Sequence, residues 1–300
     1  MEKRKSTPQL ELVVSDRWKD YELLDSGGGS KLERFGTVTA IRPDSKAFWK
    51  RSLKDEVWER AQAVFIEGTG EAGSHWSPKS IVDRRWPMEY EGLRFWVQPT
   101  SFRHMGFFPE QANHWDWMRR ILSGAGRETK VLNLYGYTGL ATLAAAAAGA
   151  AVTHIDASKK SITWARENQT LSGFEQKPIR WIPEDALKFV EREGRRGSKY
   201  DGIIIDPPKF GRGPNGEIWK LEDSLGTLIE ACRSILSDQP LFVVLTMYAA
   251  NISPLSGYYL LQDLLGDRRG TLTAGELVLP EKSAGRLLPT AIFARWSAST

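Results

Sequence analysis

From residue 130 onward the chain alternates short apolar runs with amphipathic or small-residue stretches. This rhythm restricts the possible folds more than any single residue does. Strands are predicted at 130–135, 151–155, 178–182, 200–205 and 241–246. Helices are predicted at 140–148, 158–171, 185–193 and 221–236, with a terminal antiparallel pair at 276–279 and 290–295. The run Gly202-Ile203-Ile204-Ile205 lacks polar alternation, as a strand buried on both faces requires. The pattern implies an α/β chain whose mostly parallel sheet is covered by helices on both faces. Ligands of such sheets bind beyond the carboxyl ends of the strands, where the strand order reverses.

Before about residue 110 the texture differs. Segments 21–24 and 36–42 read as strands around Gly27-Gly28-Gly29, and 86–90 with 93–97 as a hairpin turning at Glu91-Gly92. Residues 52–65 read as a helix, with Leu53, Val57, Ala61 and Val64 on one face, and 67–78 as a Gly- and Ser-rich loop. We therefore expect a small β-rich α+β domain of ββαββ type at 1–108, followed by a second domain at 109–300. Eight of the 12 tryptophans fall in the first 117 residues. They suit the core of a small domain better than base stacking.

Composition narrows the function classes. The 41% hydrophobic content supports a sizeable core, and 41 Lys+Arg against 37 Asp+Glu leaves +4, a balance compatible with an RNA partner. The single cysteine, Cys232, excludes a disulfide framework and fits a reducing cytoplasm. No signal peptide or membrane-length apolar run is readable. His75, His104, His114 and His154 are scattered, so no metal site is expected.

The first strand runs through Val131-Leu132-Asn133-Leu134-Tyr135-Gly136-Tyr137-Thr138-Gly139 into a helix. A nicotinamide fingerprint needs glycines at i, i+2 and i+5. Gly136 and Gly139 fit the last two, but Leu134 occupies the first. S-adenosylmethionine has no phosphates and does not need that cradle; its carboxylate and ammonium need backbone amides, a helix N-terminus and an acceptor. In the common acidic-x-Gly-x-Gly-x-Gly pattern the four positions are Asn133, Tyr135, Tyr137 and Gly139, a degenerate match. Close helix–strand packing would also explain Gly136 and Gly139. Asp156, followed by Ala157 and Ser158, ends the second strand, where a carboxylate can accept both ribose hydroxyls of an adenosine. Glu184-Asp185-Ala186 follows the third strand and offers an acceptor for the adenine amino group; either acid could instead be a helix cap. Three acceptors at successive strand ends favour adenosine binding.

Asp206-Pro207-Pro208-Lys209-Phe210 ends the fourth strand. Two prolines stiffen the corner and remove two amide donors, so carbonyls plus Asp206 form an acceptor-only rim. That rim suits an N–H-bearing base edge, with Phe210 stacking on the base. The following 211–216 segment reads as a mobile lid, with Arg212 and Lys220 available for phosphates.

These segments, with His154-Ile155-Asp156-Ala157-Ser158, resemble class I methyltransferases of bacterial large-subunit ribosomal RNA, the cytosine-C5 enzymes and their guanine-N7 relatives. The resemblance covers roughly residues 100–300 and implies a Rossmann-like class I methyltransferase sheet with S-adenosylmethionine as cofactor. Gly106-Phe107-Phe108-Pro109-Glu110-Gln111 is similar to a stretch that helps hold the cofactor in that family, which makes Gln111 a candidate contact. The family's next arginine is Ala112 here. The front part is similar to the family's central small domain; the RNA-binding module preceding it in the cytosine enzymes is missing. The C5 enzymes carry a nucleophilic cysteine just after the fifth strand, because cytosine C5 needs covalent activation. The stretch here is Thr246-Met247-Tyr248-Ala249-Ala250, with Ala249 at that position. Cys232 lies at helical spacing with Leu228 and Ile235 and reads as core. N-methylation of an RNA base, ribosomal by the resemblance, is the expectation. Methylation of a small molecule or protein, a nicotinamide dehydrogenase, and a non-catalytic cofactor- and RNA-binding module are the alternatives.

Overall fold

The computed structural model describes residues 7–68, 73–248 and 252–299. Strand β1 (Leu10–Val14) is followed by β2 (Tyr21–Gly27), β3 (Ser30–Phe35), β4 (Val38–Pro43), helix α1 (Asp55–Glu59), β5 (Ala63–Ile66) and β6 (His75–Ser77). Strands β2 to β6 form a five-stranded sheet in chain order, and β7 (Trp86–Tyr90) pairs with β8 (Leu93–Val97) as a hairpin. Helix α2 (Ala112–Ser123) then leads into β9 (Lys130–Leu134), α3 (Leu140–Ala147), β10 (Ala151–Asp156), α4 (Lys159–Leu171), β11 (Ile179–Pro183), α5 (Ala186–Arg195) and β12 (Gly202–Ile205). A ribbon of β13 (Phe210–Arg212) and β14 (Ile218–Lys220) precedes α6 (Leu221–Arg233), β15 (Phe242–Met247), α7 (Pro254–Leu265), β16 (Gly270–Pro280) and β17 (Leu287–Ala298).

The large sheet has eight strands in the order β1-β16-β17-β15-β12-β9-β10-β11. Strands β9 to β12 and β15 run parallel, and β17 lies antiparallel between β15 and β16. The chain moves outward from β9 to β11 and returns beside β9 as β12, so the order reverses between β9 and β12. Alternate strand residues feed two cores. Val131, Ile204 and Val244 meet α2, α3 and the small sheet, whereas Leu132, Ile203 and Val243 meet α5, α6 and α7. Helices thus cover both faces, as the continuous apolar strands require. Among the described residues, no helix is long and apolar enough to cross a membrane.

The front of the chain departs from expectation. Only Asp55–Glu59 of the predicted 52–65 helix is helical, and Ala63–Ile66 instead forms β5, parallel to β4. The open edge of β4 and an edge-to-face contact of Phe65 with Trp76, 5.3 Å between centroids, draw it into the sheet. The predicted 67–78 loop contains β6; residues 69–72 lie outside the described ones. Strand β3 reads as polar because Glu33 is fully buried, yet Arg42 pairs with it at 2.6 and 2.7 Å and Tyr21 donates to it at 2.7 Å. Strand β1, assigned to the front domain, joins the large sheet beside β16. The 211–216 segment, read as a lid, supplies the end of β13 and most of the turn of a two-stranded ribbon. No tryptophan is exposed: Trp58, Trp76 and Trp115 are buried, and Trp18 packs on Tyr90 and Phe107. They fill core.

Candidate active site

The turn after β9 is held in an unusual backbone shape. Tyr135, Tyr137 and Gly139 have φ of 58°, 50° and 85°, the left-handed region that side chains disfavour. A Cβ on Gly136 would lie 2.3 Å from the ring of His154 and 3.0 Å from Asn133 Nδ2, so only glycine fits there. Beneath it, Asn133 donates to Thr142 Oγ1 at 2.9 Å, and Thr142 Oγ1 lies 2.9 Å from His154 Nδ1. Burial pushes His154 down to about 3, so its ring is neutral and Nδ1 accepts the threonine proton. Gly139 is closely packed as well: a Cβ there would sit 2.8 Å from that of Ala165.

A strap at 106–111 covers this turn. Thr138 Oγ1 donates to the Gly106 carbonyl at 2.6 Å, and Gly106 (φ 90°) lies against Trp164, where a Cβ would come within 2.4 Å. Gln111 Nε2 reaches Asp206 Oδ2 at 3.0 Å and Tyr248 Oη at 3.2 Å. The Tyr248 hydroxyl lies near Glu110 as well, and its ring is 5.0 Å from that of Phe108. Burial, reinforced by Glu110, pushes the Asp206 carboxyl up to about 8. Burial also raises Glu110. Two acids favoured in their neutral forms therefore share one corner with two aromatic rings. Sequence reasoning did not assign a role to Tyr248, although it lies in the stretch after the fifth strand; Ala249 beside it lies outside the described residues.

A small cleft, of about 50 Å³, opens at the carboxyl ends of β9 and β12. Gln111, Asn133, Tyr135, Gly136, Tyr137, Thr138 and Asp206 all line it. Phe107, Phe108 and Trp115 complete the apolar wall. Asp156 sits behind the turn, accepting from the amides of Tyr137 at 2.9 Å and Ser158 at 2.8 Å, with Ala157 between. A wider hollow, of about 380 Å³, lies by Arg127, Asp238, Arg268 and Arg269 at the amino-terminal ends of β15 and β16, away from the strand ends where parallel sheets bind ligands.

Other expected residues are engaged elsewhere. Asp185 caps α5 by accepting from the Lys188 amide at 3.0 Å, Glu184 pairs with Arg192, and Ala186 is buried in core. None of the three lines the cleft. The rim is also narrower than the two-proline argument implies. Trp219 Nε1 donates to the Pro208 carbonyl at 2.7 Å because the ribbon folds back beneath the corner. Among the described residues only the Pro207 carbonyl of that pair receives no hydrogen bond. Lys209 is exposed, and Phe210 points outward on the ribbon, 55% exposed. Cys232 lies fully buried in the α5–α7 core, its thiol pushed up to about 12 by burial.

The donor set suits S-adenosylmethionine better than a dinucleotide. The turn lacks the first fingerprint glycine, whereas the cleft offers the free amino end of α3, aromatic walls and the Asp206 carboxyl for a cation. Sheet order, strand-end cleft and donor set together define a nucleoside-cofactor methyltransferase of the Rossmann-like class. The family model for S-adenosylmethionine-dependent methyltransferases matches residues 71–223, just over half of the chain, and the chain belongs to that family. A crystal structure of the SAM-dependent methyltransferase from Agrobacterium tumefaciens superposes with a TM-score of 0.91 at 46% identity, covering 100% of this chain and 98% of that one. Ribosomal RNA large subunit methyltransferase I of Tolumonas auensis is 26% identical over 227 residues, 74% of this chain and 51% of that protein. Ribosomal RNA large subunit methyltransferase K/L of Methylococcus capsulatus is 35% identical over 124 residues, 41% of this chain and 16% of that protein. The chain thus spans about half or less of the length of these curated relatives. It is a methyltransferase enzyme that uses S-adenosylmethionine.

Proposed function

We propose that this methyltransferase acts on RNA, ribosomal RNA in the first instance, and methylates a base nitrogen in the cytoplasm. The names of the ribosomal RNA relatives and the mild positive balance support the substrate class. The observation that carries the chemistry is Asp206, an acid whose carboxyl burial raises to about 8, which lines the cleft and is oriented by Gln111. Bound S-adenosylmethionine supplies an already activated methyl carbon, so the chain need only align a nucleophile and exclude water. Asn133, Tyr135 to Gly139 and the amino end of α3 hold the methionine part, and Asp156 receives the ribose. Glu184 and Asp185, at the end of β11, would meet the adenine amino group. Phe108 and Tyr248 flank the acceptor base. Asp206, ionised by the cofactor's positive charge, accepts the base's N–H bonds together with the Pro207 carbonyl, and as the nitrogen gains its methyl group the displaced proton passes to the Asp206 carboxylate. No thiol takes part.

Transfer of tritiated methyl groups into undermodified ribosomal RNA tests the reading. Asp206→Ala should abolish transfer and leave cofactor affinity within about tenfold, roughly 1.4 kcal/mol. Equal loss of both would remove Asp206 from the acceptor side. Absence of label from every RNA would remove the substrate class.

A further inference from the structure

The ribbon β13–β14 has one face that nothing in the fold covers. Its register pairs Phe210 with Lys220, Gly211 with Trp219 and Arg212 with Ile218. Opposed residues share a face, as do residues two apart. Phe210, Arg212, Ile218 and Lys220 therefore project together, and Gly211 and Trp219 project the other way. All four of the first set are exposed, Phe210 to 55% and Ile218 to 64%, whereas Trp219 is buried at 5%.

The inner face is fastened to the acceptor corner. Trp219 donates to the Pro208 carbonyl and packs 5.1 Å from Tyr135, and the Leu221 amide donates to the Lys209 carbonyl at 3.0 Å. Glu217, at the turn, is held by Lys188 at 2.6 Å. The outer face keeps its cations available. Arg212 makes no ion pair among the described residues, and Lys220 meets only the exposed Asp223 at 3.8 Å. Lys209 adds a third exposed cation beside the corner.

We propose that this outer face holds the single-stranded RNA segment next to the acceptor nucleotide, Phe210 and Ile218 lying against bases while Arg212 and Lys220 contact phosphates. The proposal rests on the RNA reading above and names the surface that serves it. Aromatic platforms interleaved with cations grip single strands without reading sequence. Along each strand the apolar and cationic residues are two positions, about 7 Å, apart, so one extended backbone can meet both. A protein partner would need about 800 Å² of contact, far more than four side chains supply.

Anisotropy of a labelled, mixed-sequence RNA oligonucleotide, measured over a salt series, tests this. Phe210→Ala should weaken binding about tenfold. Arg212→Ala with Lys220→Ala should make the log affinity–log salt slope shallower by about 1.4, roughly 0.7 for each lost phosphate contact. Calorimetry with S-adenosylmethionine should show unchanged cofactor affinity, which confirms that the variants fold. Wild-type affinity and slope in both variants, with RNA still methylated, would overturn the ribbon assignment and leave the RNA reading intact. Preference for duplex over single-stranded probe would also overturn it. A wild-type protein that neither binds nor methylates RNA would remove both proposals together.

Discussion

Replacing Asp206 by asparagine should make the cofactor-free protein more stable while destroying its activity. The folded carboxyl titrates near 8, against an ordinary value of 3.8. Between those values the folded state retains a proton that the unfolded chain has released, so rising pH favours unfolding across that window and the loss levels off above about 8. One proton corresponds to roughly 1.4 kcal/mol per pH unit. From the lower value to pH 7 the carboxyl therefore costs at most about 4 kcal/mol, and at pH 5 less than about 2. Asparagine is isosteric with the protonated acid, does not titrate, and can present its carbonyl oxygen to Gln111 Nε2, which now donates to Asp206 at 3.0 Å. Removing the carboxyl also relieves Glu110, whose own shift has the same sign. Urea unfolding followed by tryptophan fluorescence, at pH 5, 7 and 8.5 without cofactor, would give the difference between variant and wild type. That difference should be small at pH 5 and grow steadily to pH 8. A constant difference, or a variant less stable than wild type at pH 7, would refute the burial argument for Asp206.

Three further outcomes follow from the same geometry. Cofactor binding should release protons and tighten from pH 6 to pH 8, because a sulfonium and an ammonium favour the ionised form of Asp206, which burial raises to about 8; calorimetry in buffers of different ionisation enthalpy would detect this, and a smaller effect is expected for the uncharged-sulfur product. Gly136→Ala should lower stability by about 1 to 3 kcal/mol, since its Cβ would fall 2.3 Å from a buried His154 ring, and a melting temperature equal to wild type would contradict the packing. Cys232→Ala should cost about 1 kcal/mol of stability and leave methyl transfer intact; loss of turnover in a stably folded variant would revive a thiol mechanism.

The large sheet was legible because its physics is local. Continuous apolar runs such as Gly202–Ile205 and Phe242–Met247 can satisfy their backbone and bury both faces in only one kind of layer. The small sheet was less so. Strand β3 was not read from the sequence: Glu33 is a charge, and the pair it forms with Arg42 is what lets both be buried. The periodicity of 52–65 misled because apolar residues four apart also arise when a short helix is followed by a strand.

The site divides in the same way. The β9 turn and Asp206 lie at the ends of predicted strands, where their motifs located them, and close packing was one of the two readings of Gly136. What sequence could not supply were contacts between segments far apart in the chain: Gln111 reaches Asp206 across 95 residues and Tyr248 across 137. The same limit explains the overcount at the rim. Two prolines remove donors from their own backbone, but they say nothing of donors arriving from elsewhere, and Trp219 brings one. That single indole contact takes a carbonyl from the acceptor corner and, in doing so, fixes the ribbon whose outer face then stands free beside it.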